Sequence, residues 1–342
     1  MKHTCWLLIA GLAASTFAAG ENSKIAPGTK RAPIQAIWRD PGAVEKLDFV
    51  GGPGGRSRAP KAPFIFVEED HEGSSPKVKV RDAAGTIWSV KWGHEVNSEP
   101  FASRIAWAAG YFVQPMYFVP RGVIQGATGL KRAKDLVGPD GSFADARFQL
   151  RDPRIKFLRD RGWTWDENPF VGTRELNGLK IIMMLTSNWD NKDARDADRG
   201  SNTGILEYSD QGRTRLSYLV TDWGGSMGKW GGVLGREKWD SKGYASQTPE
   251  FIKKVKDGIV EWGYSGQRTS DGTQNISVTD LRWVLRYVGR IGDAQIRAGL
   301  LASGATPAEA NSFAPAIRAR INQMRSATRP TDVKAKPLPS SR

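Results

Sequence analysis

The 342-residue sequence predicts an α+β protein whose two parts differ in secondary structure. Residues 62–125 are rich in β-branched and aromatic runs separated by turn signals, which is typical of strands. Apolar residues recur at helical spacing later in the chain, notably over 278–291 and 306–324. We therefore expect a small strand-rich lobe at 62–125 and a larger, mainly helical lobe at 126–325.

The composition excludes several classes of protein. Hydrophobic residues make up 39% of the chain and there are 13 Trp, which rules out a wholly disordered protein. One Cys and three His leave neither a disulfide framework nor a Cys/His zinc site. The formal net charge of +14 favours acidic partners, such as nucleotides, nucleic acid, anionic glycans or lipid headgroups.

The two ends of the chain are expected to lie outside the folded lobes. Residues 1–20 combine a basic start, an apolar run and small residues, as a secretory signal peptide does. We expect a secreted or periplasmic mature protein without a transmembrane segment, because no later run is long and apolar enough. Residues 21–61, rich in Gly, Pro and basic residues, predict a flexible lead-in, and 326–342 predict a disordered tail.

Local patterns predict the elements of the first lobe. Residues 62–70 are β-branched and aromatic, and the runs 77–82 and 86–93 flank a glycine-containing turn, so a strand and a hairpin are expected. Apolar residues at helical spacing predict a helix over 98–112. Residues 111–124 predict a further strand pair that is broken by two prolines.

The second lobe begins with a polar stretch, 125–170, that carries few strong signals. An apolar helix is predicted over 175–189, and two strands are predicted at 202–210 and 215–225. The Gly-, Lys- and Trp-rich residues 224–246 predict a loop, and the remainder is helical in pattern.

Lys91 and Glu99 form the first candidate pair of charged residues. Alternation along the strand places Lys91 on one face with Ser89, and an inward-facing ammonium needs an anionic partner. Glu99 opens the predicted helix and could supply that partner. Each residue also has an ordinary structural explanation, a solvated strand lysine and a carboxylate favoured at a helix N-terminus.

Two polar segments follow the apolar elements of the second lobe. Asp222 ends an apolar strand directly before two glycines, in TDWGG. The loop 187–202 lies between helix and strand, and it lacks the D-x-D-x-D-G register of a calcium loop. Its candidate bases and ligands are Asp190, Lys192, Asp193, Asp196, Asp198 and Asn202.

In this order, these features resemble the two-lobed protein-kinase-like fold. The resemblance is to its atypical branch, that is, to HipA-type kinases and phosphatidylinositol-kinase-like proteins. NSEPFASRIAWAAGYFV resembles their glutamate-bearing helix, LTSNWDNKDARD their catalytic loop, and YLVTDWGG their DFG segment with Trp in place of Phe. The resemblance covers roughly residues 62–225 and implies a secreted bacterial member of that superfamily.

The resemblance implies ATP and Mg²⁺ as cofactors. Phosphoryl transfer needs positioned charge more than covalent help. By this resemblance, Lys91 would bind the nucleotide phosphates and Glu99 would orient that lysine. Asp190 would align or deprotonate the attacking hydroxyl, and Lys192 would neutralise charge at the γ-phosphate. Asn202 and Asp222 would bind magnesium.

Two features depart from the kinase pattern. The second metal ligand usually follows the catalytic Asp by five residues, where this chain has Arg195, so Asn202 requires an inserted turn, and Asp193 or Asp196 is the alternative. No G-x-G-x-x-G precedes the lysine. The candidate for the phosphate-covering loop is HEGSSPKV, with Gly73 and the backbone amides of Ser74 and Ser75.

The predicted function is phosphotransfer in an extracytoplasmic compartment. A nucleotide is the expected partner and nucleic acid is not, while a protein, a lipid headgroup, a sugar and a small molecule remain open as acceptors. The alternatives are a catalytically inactive kinase-like binding module and a basic exported protein that binds anionic polymers. Lys91, Glu99, Asp190 and Asp222 are all retained, which argues against the inactive module. We expect the tryptophans to lie in the core, which argues against the polymer binder.

Overall fold

The computed structural model describes residues 31–71, 75–158, 161–190, 202–231, 235–267 and 269–329. Its strands are β1 (Ile34–Ala36), β2 (Phe64–Asp70), β3 (Lys77–Arg81), β4 (Ile87–Lys91), β5 (Met116–Gln125), β6 (Ser142–Arg151), β7 (Lys156–Phe157), β8 (Thr203–Asp210), β9 (Arg213–Val220), β10 (Ile252–Lys256) and β11 (Ile259–Trp262). Its helices are α1 (Ser98–Ala108), α2 (Arg174–Leu185), α3 (Ser241–Ser246), α4 (Thr269–Thr273), α5 (Val278–Val288), α6 (Asp293–Ala302) and α7 (Pro307–Ala327).

The first lobe is a closed five-stranded barrel in the order β2-β3-β4-β6-β5, with α1 between β4 and β5. The inward-facing apolar residues of the strands pack as one cluster in which Phe148 contacts Phe64, Trp88 and Phe143. The predicted strand 62–70 and the hairpin are present, with β3 and β4 antiparallel and Val78 opposite Val90. The prediction of a strand-rich first lobe is confirmed.

The predicted lobe boundary at residue 125 is wrong, because β6 is needed to close the barrel. Its sequence gave little signal because Phe143 and Phe148 both pack inside the barrel although they are five positions apart, which breaks the period-two pattern. Asp145, with φ of 46°, lies between them, while the pairing with β5 keeps one register. The expected strand pair over 111–124 is instead the single strand β5. Pro120 is tolerated there because β5 pairs with β2 only at its far end, so one side of β5 is free of ladder bonds at this point.

The segment 31–61 is ordered and corrects the expectation of a flexible lead-in over this part. Strand β1 pairs in parallel with β9, and three short 3-10 helices follow. Ile37, Val44 and Phe49 are buried in the core of the second lobe, so a few apolar residues anchor a segment of otherwise Gly- and Pro-rich composition. At the other end, α7 continues to Ala327, past the expected start of the tail.

The second lobe combines the sheet β1-β9-β8-β7 with helices α2 to α7 around one apolar core. Helix α2 is buried along its last turns and packs against α5. The hairpin β10–β11 departs from the expected all-helical remainder. Its turn is Asp257-Gly258, where both residues have positive φ (51° and 78°), as a tight hairpin turn of the I′ kind requires.

The lobe composition confirms a two-lobed α+β fold with a strand-rich first lobe and a larger, mainly helical second lobe. Tryptophans lie in the core, as expected: buried are Trp88, Trp163, Trp189, Trp223 and Trp283. Trp107 is partly buried against the core of the second lobe. Within the described ranges, no helix has the length and apolar character needed to cross a bilayer.

Candidate active site

Lys91 is the last residue of β4 and lies in a row of basic residues across three strands. In the strand register, Lys91 is opposite Lys77 of β3 on one side and Arg147 of β6 on the other. Lys91 and Arg147 are buried, with 8% and 4% exposure, and Lys77 is half-buried. The row therefore gathers three cations on the outer face of the barrel, where buried charge requires anionic partners.

Glu99 supplies the first of these partners from the first turn of α1. Its Oε1 lies 2.6 Å from Lys91 Nζ, and its Oε2 lies 2.6 Å from Arg147 Nε. Glu99 is itself buried, with 3% exposure. The ion pair of Lys91 and Glu99 is the one that the sequence predicts, and Arg147 adds a second cation that sequence reasoning missed.

Glu95 is a second carboxylate that sequence reasoning missed. It lies in the turn before α1 and forms ion pairs with Lys91 and with Lys238. The spacing of four residues between Glu95 and Glu99 was visible in the sequence. The sequence does not show that Glu95 belongs to the site, because Glu95 precedes the helix and only the fold of the turn brings it to Lys91.

Asp222 follows β9 and completes a group of three carboxylates. Ligand oxygens of Glu95, Glu99 and Asp222 all lie within 4.8 Å of one another. Asp222 Oδ1 also accepts a hydrogen bond of 2.7 Å from the backbone N–H of Gly224, which fixes the carboxylate in the turn. The structure thus brings three of the predicted site residues, Lys91, Glu99 and Asp222, into one cluster.

Gly224 packs the TDWGG loop against the start of α1. A β-carbon at position 224 would lie 2.4 Å from Cδ of Glu95, so only glycine fits. The hydroxyl of Ser98 donates a hydrogen bond of 3.0 Å to the carbonyl of Gly224. The metal-loop candidate and the glutamate helix are therefore in direct contact.

The crowding of charge shifts the pKa values of the cluster in opposite directions. Burial alone would lower the pKa of Lys91, but Glu99, Asp222 and Glu95 together raise it above its usual range. Burial raises the pKa of Asp222 to about 6, with Glu99 and Glu95 adding to the rise against the opposing effect of Lys91. Burial would raise the pKa of Glu95, but Lys91 and Lys238 lower it to about 2.

Asp190 lies beside the TDWGG loop. A β-carbon on Gly225 would be 2.8 Å from Cβ of Asp190, and the backbone N–H of Trp189 donates to the carbonyl of Gly225 at 3.1 Å. The side-chain amide of Asn188 donates to the carbonyl of Asp222 at 3.1 Å. These contacts hold the start of the predicted catalytic loop against the loop that bears Asp222.

Asn202, the predicted second metal ligand, lies next to Asp190. It has a left-handed backbone conformation, with φ of 63°, and its side-chain amide donates to the carbonyl of Asp190 at 2.6 Å. The two ends of the predicted catalytic loop are thereby joined. Lys192, Asp193 and Asp196 lie outside the described residues.

The predicted phosphate-covering loop connects β2 and β3. Gly73 and Ser74 lie outside the described residues, whereas Ser75 is described and stands two residues before Lys77. Since Lys77 is in register with Lys91, Ser75 lies at the end of the sheet that carries the lysine. This is the end at which a loop would have to cover phosphates bound by Lys91.

The carboxylate group fits a hard divalent cation. Mg²⁺ and similar ions prefer oxygen ligands, and three carboxylates within 4.8 Å of one another supply them. Nearby, Oδ1 of the fully buried Asn188 has no hydrogen-bond partner among the described residues. A cation would relieve both the mutual repulsion of the carboxylates and the raised pKa of Asp222.

Comparisons with known proteins give structural similarity only. A scan against models of protein families finds no match to this chain, and a search of curated proteins finds none either. Among solved structures, the chain is similar to the Golgi casein kinase, at 10% identity over 85% of this chain and 76% of that one, with TM-scores of 0.37 for the Mn/ADP-bound crystal structure and 0.39 for another. It is also similar to the Rio2 kinase-ADP/Mg²⁺-phosphoaspartate complex from Chaetomium thermophilum, at 12% identity over 75% of this chain and 72% of that one, with a TM-score of 0.28.

Proposed function

We propose that the protein is an ATP- and magnesium-dependent phosphotransferase of the atypical protein-kinase-like type. One observation carries the proposal: the buried Lys91 of β4 and Glu99 of α1 meet the partly buried Asp222 after β9 in a single cluster. Asp222 comes from a part of the chain distant from Lys91 and Glu99. A structural salt bridge needs two groups, whereas this cluster concentrates three carboxylates and several cations at one point.

Binding of the nucleotide phosphates is assigned to the basic row. Lys91 donates to phosphate oxygens while Glu99 holds its ammonium in place, at 2.6 Å. Lys77 and Arg147 flank Lys91 in the strand register and add positive charge on the same face. A triphosphate carries several negative charges, so a row of three cations suits it better than a lone lysine would.

Asp222, with Glu95 or Glu99, would hold the magnesium ion, which when bound neutralises charge on the phosphate oxygens. If Glu95 turns toward a cation, Lys91 keeps its ion pair with Glu99. Asn202 stands next to Asp190 and remains the proposed second ligand. Gly224 leaves room for the side chain of Glu95 and donates its backbone N–H to Asp222.

Asp190 is proposed to align the acceptor hydroxyl or to take its proton. Its backbone is fixed on both sides, by Asn202 at its carbonyl and by Gly225 against its β-carbon. A base must be positioned before its pKa matters, and this packing provides the position. Lys192, two residues on, is proposed to neutralise charge on the transferred phosphoryl group.

The proposed setting rests on the sequence, which leaves the acceptor open. The signal-peptide pattern of residues 1–20 supports an extracytoplasmic enzyme of a secreted bacterial branch. The net charge of +14 favours acidic acceptors. A protein, a lipid headgroup, a sugar and a small molecule remain the candidate classes.

Glu95 favours one competing function, an inactive kinase-like binding module. Its ion pair with Lys91 places a carboxylate where phosphate oxygens would otherwise bind the lysine. If Glu95 stays there, a nucleotide could bind only without engaging Lys91, and its phosphate would not be transferred. An anionic-polymer binder has less support, because most of the tryptophans among the described residues are buried.

Thermal-shift measurements separate these functions. A phosphotransferase should gain melting temperature with ATP only when Mg²⁺ is present, and the gain should vanish in Asp222→Asn. A shift without Mg²⁺ would indicate the inactive module. No shift with either, together with retention on a heparin column, would indicate the polymer binder.

A further inference from the structure

A cavity is lined in part by residues 150–153, at the connection between the lobes. Its volume is about 580 Å³, within the range of small-molecule sites. The described residues that line it include none of the lysine–carboxylate cluster. The apolar part of its wall includes Trp107, Tyr111, Leu150, Phe157, Leu206 and Tyr208.

The charged residues of the wall are mainly arginines. Arg39, Arg58 and Arg151 line the cavity and face a single acid, Asp152, so the wall carries a surplus of two positive charges. Asp152 is already engaged, since Arg58 Nη2 lies 3.7 Å from it and Arg154 contacts it at 2.6 Å. Arg39 and Arg58 are exposed, whereas Tyr111 is buried and Trp107, Phe112, Phe157 and Tyr208 are partly buried, so the charged groups lie closer to solvent than the rings do.

The ordered N-terminal segment contributes to this cavity. Arg39, Pro53 and Arg58 all come from residues 31–61, which are anchored in the second lobe by Val44 and Phe49. Arg39 is also stacked near Phe112, with its Cζ 5.6 Å from the ring centroid. The segment thus closes one side of the cavity and supplies two of its three arginines.

We propose that this cavity binds a small organic anion with an apolar, ring-bearing body. The rings of the wall would contact the body of the ligand, and the arginines would pair with a carboxylate, sulfonate or phosphate group at its end. Burial of the body supplies most of the affinity, and the arginines supply the selectivity for an anion. The site does not depend on the proposed phosphotransfer.

Two fluorescent probes that differ by one charged group test the proposal. Anilinonaphthalene sulfonate has the expected form, and phenylnaphthylamine is the same ring system without the sulfonate. The folded chain should bind the sulfonate saturably, with one molecule per chain and an affinity about tenfold or more above that of the neutral probe. Saturating ATP with Mg²⁺ and the Asp222→Asn variant should leave this binding in place, which separates the cavity from the nucleotide site.

Two sets of variants locate the binding. Charge reversal by Arg39→Glu with Arg58→Glu should weaken binding of the sulfonate by about tenfold or more and binding of the neutral probe by less than about threefold. The matched control is Lys253→Glu with Arg286→Glu, both exposed and outside the cavity, which should change the binding of neither probe.

Ile155→Trp should weaken binding of both probes, because Ile155 is an exposed residue at the cavity wall. Its matched control is Ile259→Trp on β11. Circular dichroism and melting curves confirm that each variant is folded. Equal affinity for both probes, loss of sulfonate binding with ATP and Mg²⁺, or no effect of the arginine reversal in a folded variant would overturn the proposal.

Discussion

Glu95 and Gly224 are in contact across the candidate active site, because a β-carbon at position 224 would lie 2.4 Å from Cδ of Glu95. The contact joins the turn before α1 to the loop that follows Asp222. It therefore ties the position of one proposed metal ligand to that of another.

The contact predicts the effect of Gly224→Ala. The added methyl group must displace the side chain of Glu95, so binding of ATP with Mg²⁺ should weaken by about tenfold or more while the fold is retained. Gly231→Ala, in the same segment, is the matched control, because no described residue would lie closer than 3.4 Å to its new β-carbon. Calorimetric titration measures both. Equal affinities in the two variants would show that the contact does not position the site.

Lys91→Met should destabilise the protein in addition to removing nucleotide binding. It leaves Glu95, Glu99 and Asp222 with one cation fewer in a buried cluster, and breaking a buried pair costs about 3 kcal/mol or more. Lys79→Met on β3 should cost less than about 1 kcal/mol, since Lys79 and Glu68 form an exposed pair. Urea denaturation gives both values. Similar losses in the two variants would contradict the buried-cluster account.

The stabilisation by Mg²⁺ should depend on pH through Asp222. Its pKa of about 6 in the folded protein exceeds the ordinary value of 3.8, so its contribution to stability is present at low pH and is lost as pH rises through about 6. Magnesium needs the deprotonated carboxylate and gains affinity over the same range. The rise in melting temperature on adding Mg²⁺ should be small at about pH 5 and larger at about pH 7. The Asp222→Asn variant should show no such growth, and a constant shift in wild type would contradict the assignment.

Asp190 and Asp222 should be separable by their kinetic effects. Asp190→Asn should lower phosphate transfer by about a hundredfold or more while ATP and Mg²⁺ still bind, because a base acts on the acceptor hydroxyl. Asp222→Asn should lose Mg²⁺-dependent binding itself. Transfer of labelled γ-phosphate and calorimetry, run side by side, distinguish the two results. Unchanged transfer in both variants would exclude a kinase of the proposed kind.

The second metal ligand is decided by three further variants. Asn202→Ala should reproduce the loss seen in Asp222→Asn, because Asn202 already contacts the carbonyl of Asp190. Asp193→Ala and Asp196→Ala should bind Mg²⁺ and ATP as wild type does. If one of those two loses binding and Asn202→Ala does not, the ligand lies earlier in the loop.

The sequence predicted the parts of the fold that have local signals. The ion pair of Lys91 and Glu99 could be predicted because the two residues are eight positions apart, one in a strand pattern and the other at the start of a helix pattern. The turn Asp257-Gly258 between alternating residues also predicts a hairpin, and the helical assignment there overlooked it. Strand β6 had no such signal, since Phe143 and Phe148 both pack inside the barrel although they are five positions apart.

The remaining site residues depend on tertiary contacts that no local pattern encodes. Arg147 reaches Glu99 only because β6 closes the barrel beside β4. Lys238 reaches Glu95 from a loop rich in Gly and Trp, across 143 positions of the chain. The ordered segment 31–61 likewise depends on three buried apolar residues within a composition typical of flexible chains.

The central claim is that the cluster of Lys91, Glu99 and Asp222 binds a nucleotide together with a divalent cation. Titration calorimetry of ATP into the purified chain, with and without Mg²⁺, measures this directly in wild type and Asp222→Asn. We expect saturable binding of one ATP per chain that requires Mg²⁺ and is lost in the variant. Binding that is indifferent to Mg²⁺, binding that survives Asp222→Asn unchanged, or no binding at millimolar ATP would contradict the claim.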